Sequence, residues 1–347
     1  MSEKSGPARK EADEIPFSAE KFRKDLVEWF LREGKDYPWR KTRDPWAILV
    51  SEVMLQQTTV PTILNRYENW LEQFPTPAAL AGADEAAVLR SWEGLGYYQR
   101  VRNLRKTAIA LTESHGGVMP SSLEELRTLP GIGPYTASAV ASFAFHLPAP
   151  LVDANVSRVF ARLFDDDTPV DSPEGIRRTA ARAELLLDHD HPHAYNSGLM
   201  ELGQNYCKKT PECLLCPVRS CCTTRRAADL PVKLPKRETV LVTEYALYAR
   251  NSRGDVLLAR TEGGRRREGL WRLPHREVSL LKSKGGEILT HRFNITHHKV
   301  TQHVYTLPEA EVRLAGGEEW IPLSGLDSHP MPSPDRKALN KLLKSRE

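Results

Sequence analysis

The chain has 347 residues, 40% of them hydrophobic and 27% charged, and this length favours two domains at roughly 150 residues each. The formal net charge of +4 is too mild to indicate a nucleic-acid partner by itself. No stretch approaches the roughly 18 apolar residues of a membrane helix, and the first residues lack the apolar core of a signal peptide. We therefore expect a cytoplasmic protein and disfavour a transmembrane or secreted one.

Residues 1–16 are polar and lack a periodic apolar pattern, which predicts a disordered N-terminus. From Phe17 to about Asn205, apolar residues recur three and four positions apart with proline or glycine between segments, so an all-helical domain is expected. One of its helices is predicted over residues 152–164. Its apolar face would consist of Val156, Val159, Phe160 and Leu163.

Two carboxylates in this region have contrasting surroundings. Glu52 lies in the apolar run WAILVSEVMLQQT, where burial would raise its pKa and let it carry a proton near neutral pH. The alternative is a glutamate on the solvent face of the same helix. Asp153 precedes a predicted helix, where it can act as an N-cap and where the helix dipole favours its charged form. One protonated and one charged carboxyl group is the arrangement that glycosidic-bond cleavage requires.

Residues 122–146 predict two helices joined by a tight hairpin. Ser122 and Glu125 form a capping box for a first helix that ends near Leu129. The turn and the start of the second helix contain residues with suitable backbone preferences, namely Gly131, Gly133 and Pro134. Such a turn directs backbone N–H groups at a phosphate and so favours contact with DNA. The alternative is an ordinary pair of antiparallel helices.

All five cysteines lie within residues 207–222, in the order Cys-x5-Cys-x2-Cys followed by an adjacent pair. Such clustering indicates a metal site more than a disulfide framework, which would spread cysteines along the chain. Four thiolates on a short loop suit either tetrahedral zinc or a 4Fe–4S cluster. Zinc ribbons usually contain two Cys-x2-Cys pairs, and this loop has one. A chance grouping of inert buried cysteines is the alternative.

The pattern changes after the cysteines. Residues 223–238 are rich in arginine, lysine and proline and predict a solvated basic linker. Residues 239–347 predict a smaller α+β domain. Its strands are expected on both sides of the Asn-Ser-Arg-Gly-Asp turn, in HKVTQHVYTL and in EVRLAG and EEWIPL, with a closing helix over residues 335–344.

Several long motifs resemble those of the adenine DNA glycosylases of the helix–hairpin–helix, or endonuclease III, superfamily. Besides the cysteine loop, they are PWR (38–40), SEVMLQQT (51–58), WEGLGYYQR (92–100), LPGIGPYTA (129–137), VDANVSRV (152–159) and MELG (200–203). The resemblance covers nearly the whole chain. It implies a helical glycosylase domain with an iron–sulfur loop, residues 17–222, followed by a smaller Nudix-like α+β domain, residues 239–347.

This resemblance implies a base-excision repair enzyme that removes adenine mispaired with 8-oxoguanine or guanine from double-stranded DNA after flipping the base. Glu52 matches the general acid, and Asp153 matches the carboxylate that stabilises the positively charged sugar. The remaining matches are supporting residues of this centre (Tyr135, Asn155), DNA and mispair contacts (Gln56, Gln57, Tyr97, Gly131, Gly133), an adenine pocket (Trp39, Arg40, Ser197) and cluster ligands (Cys207, Cys213, Cys216, Cys222). A monomer is expected, associated with the nucleoid if the source is a bacterium.

Two residues refine this expected activity. Tyr135 stands where the endonuclease III enzymes carry a nucleophilic lysine, so little or no strand nicking is expected. Tyr97 is the expected wedge beside the lesion, with core packing as its alternative role. The C-terminal motif GLWRLP resembles a Nudix-like element, and no cluster of glutamates typical of a Nudix hydrolase is visible. That domain should therefore read the lesion, through Thr296 and His297, and not hydrolyse nucleotides.

The chain departs from the family pattern in four places. Ala154 replaces the glycine of Asp-Gly-Asn, Ser197 stands where relatives often carry Glu or Gln, and the first cysteine gap is one residue shorter. Ile295-Thr296-His297 replaces Phe-Ser-His, which leaves the strength of 8-oxoguanine discrimination open. The usual spacing favours Cys222 over Cys221 as the last ligand. Two rival functions are a glycosylase for thymine or oxidised pyrimidines and a catalytically silent damage-binding protein.

Overall fold

The structure is a computed structural model that describes residues 15–235, 238–263 and 267–344. These residues pack into two compact units: a helical unit of residues 15–78 and 106–235, and a mixed unit of residues 79–105 and 238–344. Most of the N-terminus predicted to be disordered lies outside the described residues. No helix in the described ranges is long and apolar enough to cross a membrane.

Thirteen α-helices are present in the described part of the chain. In order they are α1 Ala19–Glu33, α2 Pro45–Leu55, α3 Val60–Gln73, α4 Pro77–Gly82, α5 Glu85–Ser91, α6 Gln99–Ser114, α7 Leu123–Thr128, α8 Pro134–Phe145, α9 Ala154–Leu163, α10 Pro173–Leu186, α11 Pro192–Asn205, α12 Val278–Lys284 and α13 Ser333–Lys344. Short 3-10 turns occur at Pro38–Arg40, Cys213–Leu215, Arg219–Cys221, Glu309–Glu311 and Leu323–Ser328.

One hydrophobic core of the helical unit lies between α1, α9, α10 and α11. The predicted apolar face of α9 is confirmed, because Val156, Val159, Phe160 and Leu163 are all buried there. Asp153 caps this helix as its N-cap, accepting a hydrogen bond from the backbone N–H of Val156 at 2.7 Å. One apolar stripe on an otherwise polar helix thus fixes which side of α9 faces inward, and with it the position of its N-terminus.

The predicted hairpin of helices is also confirmed. Ser122 caps α7 by accepting from the N–H of Glu125 at 3.2 Å, and its hydroxyl lies 2.7 Å from the Glu125 carboxylate. Gly131 adopts a φ of 86°, a left-handed conformation that favours glycine, and Pro134 opens α8 at its first position. The sequence of α8 is small and apolar, so this helix packs closely against α2 in the interior.

Two three-stranded sheets lie in the mixed unit. The strands are β1 Val240–Tyr248, β2 Val256–Arg260, β3 Trp271–Arg272, β4 Gly286–Ile295, β5 His298–Thr306 and β6 Glu318–Ile321. One sheet has the order β1-β5-β4, with β1 parallel to β5, and the other has the order β3-β2-β6. Buried residues of β1, β2 and α13 share one core, so the expected smaller α+β domain with a closing helix is confirmed.

Two features of this arrangement differ from the sequence-based expectation. Residues 79–105, predicted as part of the glycosylase domain, pack within the mixed unit. The described part of the predicted linker is not freely solvated, since Leu230 is buried and its carbonyl accepts from Arg162 at 3.0 Å. The N–H of Val170 donates to the carbonyl of Val232 at 3.0 Å. The Arg162 side chain and the Val170 backbone thus hold part of residues 223–235 in place, which the polar composition of this segment does not reveal.

Candidate active site

A cleft of about 1230 Å³ opens in the helical unit. Its walls are the 3-10 turn Pro38–Arg40, the end of α2, the hairpin before α8, the start of α9 and one side of α11. Residues that are far apart in the sequence therefore meet in one concavity, as expected for a small-molecule or base-binding site. The predicted site residues that line it are Trp39, Arg40, Glu52, Gln56, Gln57, Gly131, Gly133, Tyr135, Asp153, Asn155 and Ser197.

Glu52 lies on the buried side of α2 and is only 5% exposed. Burial among apolar side chains raises the pKa of its carboxyl group to about 7, and the negative charge of Asp153 acts in the same direction. A hydrogen bond with Tyr135 and the positive charge of Arg40 oppose this rise in pKa without cancelling it. Glu52 can therefore hold a proton near neutral pH, as a general acid must.

Tyr135 stands at the first turn of α8, between the two carboxylates. Its hydroxyl is hydrogen-bonded to Glu52 and lies 3.3 Å from the sulfur of Met200. Burial and the charges of Glu52 and Asp153 raise the pKa of this phenol well above its ordinary value. The group therefore stays protonated and serves as a fixed neutral hydrogen-bond donor.

Asp153 is held in place by a chain of hydrogen bonds. Its second carboxylate oxygen accepts from Asn155 Nδ2 at 2.8 Å, while Arg158 donates to Asn155 Oδ1 at 2.9 Å. Arg158 also donates to the carbonyl groups of Gly203 and Cys207. The arginine thus fixes the Asn155 amide so that its N–H group faces Asp153. Together with the cap of α9, this makes both oxygens of Asp153 hydrogen-bond acceptors and fixes the orientation of its carboxyl group.

Gly203 on α11 allows this arrangement because it brings the two helices close together. A Cβ atom on Gly203 would lie 2.7 Å from the Cβ of Asn155, closer than real side chains approach. The backbone of Ala154, by contrast, is helical and needs no glycine. The alanine that replaces the family glycine is therefore compatible with the local fold.

Glu201, which the sequence motifs included without assigning a role, anchors the wall of the cleft. It is fully buried on α11 and pairs with Arg40 at 2.5 Å. It also accepts from the backbone N–H of Lys35 at 3.1 Å. Arg40 lies over the ring of Tyr37, on which Trp39 stacks at 5.0 Å. The sequence around a single glutamate in a helix does not show with which residue it will pair. The role of Glu201 is therefore seen only from its contact with Arg40 in the structure.

His193 is a further cleft residue that the sequence reasoning missed. Burial lowers its pKa to about 4, and the nearby charge of Arg43 acts in the same direction. The imidazole is therefore neutral at physiological pH and packs edge-on against Phe143 at 5.3 Å. His193 therefore adds a polar but uncharged side chain to the wall of the cleft.

The hairpin presents backbone to the open side of the cleft. No described side chain caps α8 at Gly133, and a Cβ at this position would meet nothing within 4 Å. The first N–H groups of the helix are thus available to an anion such as a phosphate. Beyond α2, Gln56 Nε2 lies 3.4 Å from Thr136 Oγ1, and Gln57 has a left-handed φ of 55°.

The other predicted lesion-binding residues belong to the mixed unit. Tyr97 has a φ of 46°, and its side chain is 49% exposed, so the alternative role in the core is not supported. Thr296 and His297 form the two-residue turn between β4 and β5, in which Thr296 has a left-handed φ of 53°. Thr296 is exposed and His297 is half-buried at the end of this hairpin, a position from which turn residues can reach a ligand.

The two adjacent cysteines of the loop, Cys221 and Cys222, have different surroundings in the structure. Cys221 is buried in the core of the helical unit, near Lys21 and Asp25 of α1. Burial raises the pKa of the Cys216 thiol to about 12, and the charges of three neighbouring thiols act in the same direction: Cys207, Cys222 and Cys213. In addition, Arg162 lies 3.3 Å from the sulfur of Cys207. Four thiols therefore share one environment, and Cys221 does not.

The sequence matches the family described as HhH-GPD superfamily base excision DNA repair protein over residues 50–183. It is 40% identical over 237 residues to an adenine DNA glycosylase of Mycobacterium tuberculosis, covering 68% of this chain and 78% of the relative. The human adenine DNA glycosylase is 39% identical over 218 residues, covering 60% of this chain and 40% of that protein.

Among solved structures, a thermostable thymine-DNA glycosylase is 26% identical with a TM-score of 0.55, covering 62% of this chain and 97% of that one. A trapped covalent intermediate of endonuclease III with DNA is 24% identical with a TM-score of 0.51, covering 60% of this chain and 97% of that one, which shows a shared fold. With the hairpin and the cleft, these similarities make the chain a DNA glycosylase enzyme of base-excision repair. It belongs to the adenine DNA glycosylase family.

Proposed function

We propose that this DNA glycosylase hydrolyses the N-glycosidic bond of adenine paired with 8-oxoguanine or with guanine. The observation that carries the proposal is the pairing of Glu52, protonated near neutral pH, with the hydrogen-bonded carboxylate of Asp153 in one cleft. A buried carboxyl group that keeps its proton can act as the acid, and a second carboxyl group held in the same cleft can stabilise positive charge.

The reaction follows from these two roles, in which Glu52 supplies a proton and Asp153 stabilises positive charge. The adenine is flipped out of the helix into the cleft, where the Glu52 carboxyl group donates its proton to a ring nitrogen and makes the base a neutral leaving group. Cleavage of the bond leaves positive charge on the sugar, which the fixed carboxylate of Asp153 stabilises. Water then adds to the anomeric carbon and loses a proton, which completes the hydrolysis and leaves an abasic sugar in the DNA. Tyr135 and Asn155 hold the two carboxyl groups, and Trp39, Arg40 and Ser197 line the space for the base.

Recognition of the opposite strand is assigned to three residues of the mixed unit: Tyr97, Thr296 and His297. Tyr97 would fill the gap beside the lesion, since an aromatic wedge compensates for lost stacking. Thr296 and His297 would contact 8-oxoguanine from the hairpin turn. The N–H groups at Gly131 and Gly133 would hold a backbone phosphate.

Excision from defined duplexes tests this proposal. Free adenine should be released from adenine opposite 8-oxoguanine, without strand nicking, because the phenol of Tyr135 cannot form a Schiff base. Release of thymine from a thymine–guanine mispair, with adenine left in place, would instead favour a pyrimidine glycosylase. Tight binding of the mispair without release of any base would favour a damage-binding protein.

We further propose a 4Fe–4S cluster on Cys207, Cys213, Cys216 and Cys222. Among the residues that the structure describes, no three His, Cys, Asp or Glu side chains are close enough together to hold a metal ion as they stand. The donor set nevertheless fits, because these thiols influence one another's charge and thiolates are the usual ligands of such clusters. A bound cluster would cross-link the loop of residues 207–222 and has no assigned step in base removal.

Substitution of the adjacent cysteines tests the ligand assignment. Cys222→Ser should lose most of the protein-bound iron and the visible absorption, because it removes one of four ligands. Its neighbouring variant Cys221→Ser should keep both, because that thiol faces α1. Iron content and absorption spectra of the two purified proteins provide the measurement. Loss of iron in Cys221→Ser with retention in Cys222→Ser would contradict the assignment.

A further inference from the structure

The turn that carries Tyr97 has an unusual backbone. Gly94, Gly96 and Tyr97 have φ values of 91°, 69° and 46°, so three of four successive residues are left-handed. This conformation costs free energy for a tyrosine and persists only where surrounding contacts impose it. Within the turn, Arg100 donates to the carbonyl groups of Leu95 and Gly96, at 2.9 and 3.1 Å.

Both ends of this turn are bound to the C-terminal segment of the mixed unit. At the first end, the Glu93 carboxylate accepts two hydrogen bonds from Arg336, at 2.7 and 3.1 Å, and one from the Met331 N–H at 3.2 Å. At the second end, the Tyr98 hydroxyl donates to the Met331 carbonyl at 2.7 Å. We call these four residues, Glu93, Tyr98, Met331 and Arg336, the C-terminal clamp.

Arg336 organises the clamp. Besides Glu93, it donates to the carbonyl of Leu326 at 3.1 Å and to that of His329 at 2.8 Å. Its side chain is largely buried, as is that of Glu93. A forked guanidinium can hold a carboxylate and two carbonyl groups at once, so one side chain fixes both the glutamate and the backbone around Met331.

We propose that Arg336 is a positioning residue that holds Tyr97 ready for insertion beside the lesion. The inference rests on the proposed function, in which Tyr97 is the wedge. Without Arg336, Glu93 loses this salt bridge and the turn gains conformations in which Tyr97 points elsewhere. A smaller fraction of molecules would then hold Tyr97 in the conformation that can insert. Binding of the lesion and adenine release, which both depend on the inserted ring, would therefore be reduced.

The mixed unit offers a matched control. Arg276 forms a similar fork with Glu318, at 2.5 and 2.6 Å, and also donates to the carbonyl groups of His275 and Arg313. The backbone N–H of Ala315 also donates to the Glu318 carboxylate, as the backbone N–H of Met331 does to the Glu93 carboxylate. Arg276→Met therefore removes an equivalent buried ion pair at a distance in sequence from the Tyr97 turn.

The experiment compares Arg336→Met with Arg276→Met in the full chain, each also combined with Tyr97→Ala. Fluorescence of 2-aminopurine placed next to 8-oxoguanine reports insertion of the ring, and single-turnover adenine release reports its consequence. Arg336→Met should lower the fluorescence rise and the excision rate at least about fivefold, a typical coupling between sites, whereas Arg276→Met should change neither by more than about twofold. In the Tyr97→Ala background, Arg336→Met should add no further loss.

Equal effects of the two arginine variants would overturn the inference, as would a full additional loss from Arg336→Met in the Tyr97→Ala background. If Arg336→Met proves unstable in thermal melts, Glu93→Gln replaces it, since this change keeps an acceptor for Met331 and removes only the charge. The proposed function fails separately, if the wild type releases no adenine. The fluorescence comparison still decides the role of Arg336 in that case, because it measures binding and not cleavage.

Discussion

Glu52→Gln should lower the single-turnover rate of adenine release by about 10²–10⁴-fold, the usual contribution of a general acid. The glutamine keeps the size and the hydrogen-bonding capacity of the side chain, so the position beside Tyr135 is preserved while the transferable proton is lost. Rates measured with saturating enzyme on a duplex containing adenine opposite 8-oxoguanine give this comparison without interference from product release. An unchanged rate would contradict the proposed mechanism.

A stability measurement provides the control for this variant. The pKa of Glu52 is 4.5 in an ordinary environment and about 7 in the folded protein. Since the folded state binds the proton more tightly, the carboxyl group contributes most favourably to folding below pH 4.5, and this contribution is lost as pH rises to about 7. At pH 8 the wild type carries a buried charge that glutamine lacks. Glu52→Gln should therefore melt at the same or a higher temperature than the wild type at pH 8.

Asp153→Asn should lower the rate of adenine release by about 10²–10³-fold, because it removes the negative charge that stabilises the sugar cation. Asparagine caps helices about as well as aspartate, so α9 should remain folded. The amide cannot accept from Asn155 through its nitrogen, however, and the hydrogen-bond chain from Arg158 loses one link. Rate and thermal melting measured on the same preparation separate the loss of charge from loss of the fold.

The matched control for this change is Asp84→Asn, at the N-cap of α5. Asp84 accepts from the backbone N–H of Ala87 at 3.0 Å, as Asp153 does from Val156, but it does not line the cleft. This control should leave the rate within about twofold of the wild type, because exposed substitutions of this kind are usually small in effect. A comparable rate loss in both variants would show that helix capping, and not charge at the sugar, explains Asp153.

Local patterns were sufficient to predict much of the helical unit. The capping box at Ser122, the left-handed glycine at Gly131 and the apolar stripe of α9 each depend on residues within a few positions of one another. The apolar neighbours of Glu52 left burial and a solvent-facing position both open, and the structure shows that the side chain is buried. Such features depend on interactions between residues within one or two turns of a helix, so their spacing in the sequence is enough to predict them.

The features that were not predicted depend on contacts between distant segments. The parallel pairing of β1 with β5 joins residues 240–248 to residues 298–306, and no local signal specifies a parallel partner. Glu201 finds Arg40 across 161 positions, and Arg336 finds Glu93 across 243. Residues 79–105 are helical in pattern, as expected, yet pack with the strands of the mixed unit. The spacing of apolar residues shows which face of a helix is buried, but it does not show which segment of the chain packs against that face.

The pH dependence of adenine release by the wild type is the most direct test of Glu52 as the general acid. A protonated Glu52 with a pKa of about 7 predicts a single-turnover rate that is constant at low pH and falls tenfold for each further pH unit above about 7. The substrate is adenine opposite 8-oxoguanine at saturating enzyme, with thermal melts at each pH to confirm folding. A rate that stays level or rises through pH 7, or a duplex from which no adenine is released, would contradict adenine release with Glu52 as its general acid.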